Sequence, residues 1–146
     1  MNSDTLLYLA IGSAGIVAGT LAVLLILRRR CSQEWSRLAE RYAARKEPKG
    51  KLFNRHTVKV GPDLCRHCVK VVVADPGLYL RAEGFVLRRP GVLVPWDEFR
   101  DVSVGKLDLN KAAVLTLGHP STTLMMPLRL YDRLRSHMPG HLRRRV

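Results

Sequence analysis

Residues 74–104, ADPGLYLRAEGFVLRRPGVLVPWDEFRDVSV, set short apolar runs between turn signals. The segments Asp75–Gly77 and Pro90–Gly91 combine the residue types that dominate turns. Between them Leu78 alternates with Leu80, and successive side chains of a strand point to opposite faces, so the pattern predicts strands with one buried face. The same alternation recurs at Val92, Val94 and Trp96, at Ala113, Leu115 and Leu117, and at Leu124 and Met126.

This punctuation predicts a series of short strands and one terminal helix. The candidate strands are residues 56–60, 68–74, 78–82, 85–87, 92–96, 101–104, 113–117 and 122–126. Such short, even spacing is typical of an antiparallel meander and not of βαβ units. A helix beginning near Pro127 carries Leu130, Tyr131, Leu134 and Met138 on one face. The predicted fold class is therefore α+β, a small antiparallel sheet or partly closed barrel capped by the C-terminal helix.

The order of these segments resembles that of small bacterial PH-like and GRAM-like domains. The resemblance covers residues 56–138 and rests on residues 74–104, followed by AAVLTL, TTLMMP and the terminal helix. Its most specific step is Val94–Phe99, a hydrophobic-Pro-Trp-acid sequence. The resemblance implies a PH-like barrel. Phosphoinositide-binding members pair Lys with Arg across the first hairpin, and this chain lacks that pairing, so inositol-lipid binding is not implied.

An uncharged apolar run over residues 6–27 precedes the β-rich part. As a helix its 22 residues would extend roughly 33 Å, enough for a hydrocarbon core of about 30 Å. A cleaved signal peptide would have a basic start and a shorter apolar region, and this chain has neither. The run therefore predicts a single transmembrane helix. The predicted organisation is an N-terminus (1–5), the transmembrane helix (6–27), a basic juxtamembrane helix and linker (28–50), a PH-like domain (51–138) and a basic tail (139–146).

Basic residues on one side of the run predict its orientation. Arg28, Arg29 and Arg30 follow it directly, and no Lys or Arg precedes it. Because positive flanks stay on the cytoplasmic side, we expect a single-pass protein of the cell inner membrane with its N-terminus outside and its C-terminal domain cytoplasmic.

Two features near the run suggest packing. Gly15 and Gly19 form a GxxxG pair, which predicts a homodimer through the helix unless the helix is merely rich in small residues. Beyond the arginines, an amphipathic helix carries an apolar face that either lies at the lipid headgroups or packs on the following domain. That face consists of Trp35, Leu38, Ala39 and Tyr42.

The net charge of +13 is concentrated at the two ends of the part that follows the run. Residues 28–59 hold eleven Lys or Arg against three acids, and residues 127–146 hold six against one. Residues 60–126 are nearly neutral, with eight against seven, and show no basic stripe with interleaved aromatics. This distribution argues against nucleic-acid binding. The basic ends either attract an anionic leaflet as a lipid partner or serve topology and solubility.

The hydrophobic-Pro-Trp step is one candidate binding site. Pro95 cannot donate to a β-ladder, so it marks an edge or a bulge beside Trp96. Trp96 is either a core residue or an aromatic anchor in a groove between an edge strand and the C-terminal helix, where PH-like barrels commonly accept an extended segment. The groove would contain Trp96, Phe99, Tyr131 and Leu134.

Cys65 and Cys68 are the second candidate. With His67 and His56 they provide the residue types of a four-ligand zinc site, although one CxxC without a second ligand pair is not specific for zinc. Alternation would send Cys65 and His67 to one face and Cys68 to the other. Ordinary reduced thiols are the other interpretation, and we predict no cofactor.

No enzyme signature is present. Asp97 and Glu98 are adjacent, so on a strand they would point apart, and no P-loop or placed nucleophile occurs. We therefore predict a non-catalytic, membrane-anchored interaction module that binds an unknown protein partner or the anionic leaflet. The alternative is a small metal- or thiol-dependent regulator that uses Cys65 and Cys68.

Overall fold

The computed structural model describes residues 13, 15–23, 25, 33–83, 89–119 and 121–143. The chain forms two compact units, Met1–Ser32 and Gln33–Val146. In the first unit residues 15–23 are helical and exposed. Gly15 and Gly19 lie in this helical stretch, and a Cβ on either would meet no atom within 4 Å.

The prediction of a transmembrane helix over residues 6–27 was wrong. Within the described ranges, no helix is both long enough and apolar enough to cross a membrane. Residues 15–23 are the continuous described part of this run. Much of the remainder of the run lies outside the described residues, and so do Arg28, Arg29 and Arg30.

The second unit is a curled, seven-stranded antiparallel half-barrel with short helices. The elements are α1 (Gln33–Tyr42), β1 (Lys51–Val60), β2 (Asp63–Val73), β3 (Gly77–Ala82), β4 (Val92–Pro95), β5 (Phe99–Leu107), β6 (Asn110–Leu117), β7 (Thr123–Pro127) and α2 (Leu128–Leu134). Three 3₁₀ turns complete them, at Trp96–Glu98, Arg135–His137 and Gly140–Leu142. The strands are ordered β4-β3-β2-β1-β7-β6-β5 in the sheet, so consecutive strands are neighbours except at the β1–β7 pair and between β4 and β5, which form the two ends.

The predicted antiparallel sheet is thus present, and several of its strands are longer than the sequence indicated. β1 begins at Lys51 and β5 extends to Leu107. The candidate strand 85–87 lies outside the described residues. A curled antiparallel half-barrel is compatible with a PH-like fold.

The long β1–β2 hairpin is bent by bulges. Its register shifts between Phe53 and His56 and again between His56 and Val58. Arg55 and His67 have positive φ angles of 54° and 52°, which residues other than glycine rarely adopt. The extra residues bend the hairpin and change which side chains share a face.

The hydrophobic core is enclosed by both helices. α1 buries Trp35 and Leu38, so the predicted amphipathic helix packs on the sheet. α2 buries Leu130, Tyr131 and Leu134 and ends sooner than the sequence indicated, because a 3₁₀ turn follows at Arg135–His137. The chain remains part of the core beyond that turn, since Met138 and Leu142 are fully buried.

Candidate functional site

The structure buries Trp96 and Phe99 of the expected groove. Trp96 opens the 3₁₀ turn between β4 and β5, and its Nε1–H donates to the carbonyl of Ala74 at 2.9 Å. Phe99 packs against it with ring centroids 5.8 Å apart. The Trp96 side chain therefore joins the β4–β5 connection to the end of β2, and it has the surroundings of a core residue.

Tyr131 and Leu134 are also part of the core. Both are fully buried on the inner face of α2. The Tyr131 hydroxyl donates to the carbonyl of Leu142, which ties the last 3₁₀ turn to the helix, and burial raises the pKa of this phenol. The four residues expected to form a groove are therefore components of the packed interior.

An exposed site lies instead on β5, which the sequence analysis did not single out. β5 is the last strand in the sheet order and pairs with β6 along its length, so in the described sheet its other edge is unpaired. Val102 and Val104 face the core side, opposite Leu115 and Ala113. Val102 is buried, but Val104 is 56% exposed.

Alternation alone was enough to place Val104 on the core-facing side of β5. It gave no sign that the inner face is uncovered at this point, because coverage depends on neighbours that are distant in sequence. The Gly140–Leu142 turn is one such element that packs against β5. Val104 is therefore an apolar side chain beside an open strand edge.

The Cys65–Cys68 pair lies on the core side of β2. Cys65 is buried and Cys68 packs partly against the core, with its side chain in hydrogen-bonding reach of Cys65. Simple alternation would have separated them, but the positive φ of His67 interrupts it. Burial raises the pKa of the Cys65 thiol to about 11, so at neutral pH this thiol is protonated and a poor nucleophile.

The structure does not assemble the expected zinc ligands. In the part of the chain that the structure describes, no three His, Cys, Asp or Glu side chains lie close enough together to hold a metal ion. His56 is half-buried, and burial, followed by the charges of Arg133 and His67, lowers its pKa.

A buried polar cluster holds α1 against the sheet. The Asp63 carboxylate accepts the backbone N–H of Trp35 at 3.4 Å and lies 3.6 Å from the guanidinium of Arg89. That guanidinium stacks over the Trp35 ring, 5.5 Å from its centroid, while the indole N–H donates to the carbonyl of Pro90. This buried polar cluster is structural, because every partner joins α1 to a strand end or a loop.

The comparisons add no family to this description: no protein-family model matches the chain, and no curated protein matches it in sequence.

Proposed function

We propose that the Gln33–Val146 unit is a non-catalytic, PH-like interaction module that binds an acidic, extended segment of a partner protein along β5. The observation that supports this most directly is the exposure of Val104 on the core-facing side of an unpaired strand edge. Strand addition would give the partner backbone hydrogen bonds along β5 and would cover Val104 with its side chains.

The two ends of the sheet differ in ways that favour β5. β4 has only four residues, and its outer edge is partly covered because Ala43 bridges to Val92 and the Ala44 N–H donates to the carbonyl of Gly91. β5 has nine residues. A long unpaired edge is a ready template for another strand, so an added segment is best accommodated there.

Charge favours an acidic segment. Seven carboxylates of the described residues are engaged in ion pairs, and many of the described Lys and Arg side chains belong to none of these pairs. Arg100 and Lys106 lie near the two ends of β5, are exposed, and belong to none of these pairs. Such flanking charges favour an acidic partner over a basic one and increase its association rate.

Photo-cross-linking in cells tests the proposal. A photoreactive residue replaces the exposed Ser103 of β5 in the full chain, alone and in combination with Val104→Lys or Leu109→Lys. Val104→Lys places a charge where the added segment would pack, which blocks edge pairing. Leu109→Lys is the matched control. Leu109 is 97% exposed at the tip of the β5–β6 turn, so this substitution introduces the same charge in place of an apolar side chain but away from the strand edge.

We expect one recurrent protein to be captured by the parent and by the Leu109→Lys chain, and to be lost with Val104→Lys. The cross-linked peptide should be acidic, and a synthetic copy should bind the purified chain. Capture that survives Val104→Lys would contradict the proposal. Cross-links to lipid alone would replace the protein partner by an anionic leaflet, and cross-links to a second copy alone would replace it by self-association.

A further inference from the structure

A second site lies where β1 and β7 diverge. These strands pair only at Lys59 with Met125 and at Val60 with Leu124, whereas β7 stays paired with β6 to its last residue. Beside the divergence is a cavity of about 540 Å³, lined by the β1–β2 hairpin, the β5–β6 turn and the start of α2. We call it the β1–β7 cavity. Its volume is that of a small-molecule site, roughly 300 to 1,000 Å³.

Hydrogen-bond donors form the polar part of this cavity. Lys111 and Arg129 line it and belong to no ion pair among the residues described. The one carboxylate in the lining, that of Asp108, is already bound by Arg66 at 3.0 Å. The remaining polar lining residues are Thr57, His67 and Asn110. The cavity therefore presents an excess of positive charge and of donors, which suits an anion.

The remaining lining is apolar. Leu107, Pro127 and Leu128 contribute to it, and Leu107 is almost fully buried. A bare inorganic anion would leave this surface without a partner. A ligand with an apolar body next to its charged group would use both parts of the cavity.

Backbone conformation at the cavity is unusual. His67 and Asp108 both have positive φ, 52° and 55°, and both line the cavity. Asp108 occupies a two-residue turn between Leu107 and Asn110, where glycine would be less strained. The Asp108 side chain joins the β5–β6 turn to β2 through its ion pair with Arg66, at one side of the cavity.

We propose that this cavity binds a phosphate monoester carried on a small apolar or aromatic body, with Lys111 and Arg129 contacting the phosphate group. A phosphate monoester carries a charge of about −1.5 to −2 at pH 7, which matches two cations that form no ion pair with any described acid. Arg129 provides a planar fork of donors suited to phosphate, and Lys111 provides a point charge. The apolar body lies against Leu107, Pro127 and Leu128.

Isothermal titration of the full chain with phenyl phosphate tests this site. Inorganic phosphate is the probe that lacks the apolar body, and phenol is the probe that lacks the charge. We expect saturable one-site binding of phenyl phosphate, weaker binding of inorganic phosphate and none of phenol. Lys111→Gln and Arg129→Gln should each weaken phenyl phosphate binding by about fivefold or more, because each removes one charge-assisted contact.

Lys106→Gln is the matched control, since Lys106 pairs with Lys111 across the β5–β6 ladder but does not line the cavity. It should change the affinity less than about twofold, because an exposed charge outside the cavity is screened by solvent and salt. Equal weakening by all three substitutions, or no saturable binding by the parent chain, would overturn the proposal. Unchanged far-ultraviolet circular dichroism and thermal midpoint establish that each variant is folded.

The same variants distinguish the source of the phosphate. Vesicles of phosphatidylcholine and phosphatidic acid present it as a lipid headgroup. Vesicle binding that is lost with Lys111→Gln and Arg129→Gln, and retained with Lys106→Gln, would identify a lipid source. Binding of phenyl phosphate without such vesicle binding would identify a free small molecule. In either case the phosphate site is supported.

Discussion

Trp96 packs in the core and also makes a hydrogen bond there. Its ring lies against Phe99, and its N–H satisfies the carbonyl of Ala74 at the end of β2. A buried indole that finds a polar partner stabilises a fold through both contributions. The structure thereby favours the core interpretation of Trp96 over that of an exposed anchor.

Trp96→Ala should therefore lower the free energy of unfolding by about 3 to 5 kcal/mol, since it leaves a large cavity and an unpaired carbonyl. Urea titration followed by circular dichroism measures the change. Leu109→Ala is the control at an exposed apolar position and should stay within about 0.5 kcal/mol of the parent. A Trp96→Ala chain as stable as that control would contradict the packing described for the β4–β5 connection.

Asp63 of the buried polar cluster makes the free energy of unfolding depend on pH. Burial raises the pKa of its carboxyl, while the Trp35 N–H and the Arg89 charge oppose that change. A folded-state pKa above the unfolded one means that the folded chain keeps a proton that the unfolded chain has already lost. The contribution to stability is then largest below the unfolded pKa and falls as the pH rises through the folded pKa.

The test compares the parent with Asp63→Asn across this range. From about pH 3 to about pH 6, the unfolding free energy of the parent should fall relative to that of Asp63→Asn. The exposed Asp97, changed to Asn, provides the control and should show no such relative fall. A relative rise for the parent over the same range would mean that the Arg89 ion pair outweighs burial.

At the scale of elements, α1 behaves as part of the domain. It belongs to the same compact unit as the sheet and buries Trp35 and Leu38 in the common core. The helix is short, so its stability comes from this packing and not from its own propensity. Undocking α1 would expose part of the core.

Leu38→Ala should accordingly destabilise the whole domain by about 2 to 5 kcal/mol in one cooperative transition. Arg37→Ala, on the exposed side of α1, is the matched control and should cost little. Fluorescence and circular dichroism should report the same midpoint for each variant. An early transition confined to fluorescence, which would report Trp35 leaving its site, would contradict a shared core.

Local patterns predicted the elements better than they predicted the sites. Alternation and turn residues located the sheet, and helical periodicity located α1 and α2. The bulge at His67 was not predictable from that pattern, and it is the reason that Cys65 and Cys68 share a face. The exposure of Val104 depends on which elements cover the edge of β5, and the β1–β7 cavity depends on how two distant strands diverge. Neither leaves a periodic signal in the sequence.

At the scale of the whole molecule, the long apolar run over residues 6–27 led to the prediction of a transmembrane helix, which was wrong. Its composition predicted a span, but among the described residues no helix is long and apolar enough to cross a membrane. The charge distribution remains informative, because the described acids are largely held in ion pairs while cations near β5 and in the β1–β7 cavity are not. We therefore expect acidic ligands at both places.

The salt dependence of capture distinguishes an acidic partner segment from a purely hydrophobic one. Capture through the Ser103 cross-linker should decline as salt increases from about 0.05 M to about 0.5 M, because the exposed charges flanking β5 are then screened. Capture that increases with salt would instead indicate that burial of Val104 dominates and that the segment need not be acidic.

Amide hydrogen exchange along β5 tests the central claim most directly. Exchange is measured residue by residue on the free chain and on the purified cross-linked complex. In the free chain, the β5 amides that do not bond to β6 should exchange fast, and in the complex they should slow by at least about tenfold, while amides of the buried strand β2 stay unchanged. If the β5 amides were equally fast in both, the partner would not be adding a strand at this edge, and the proposed mode of binding would be wrong.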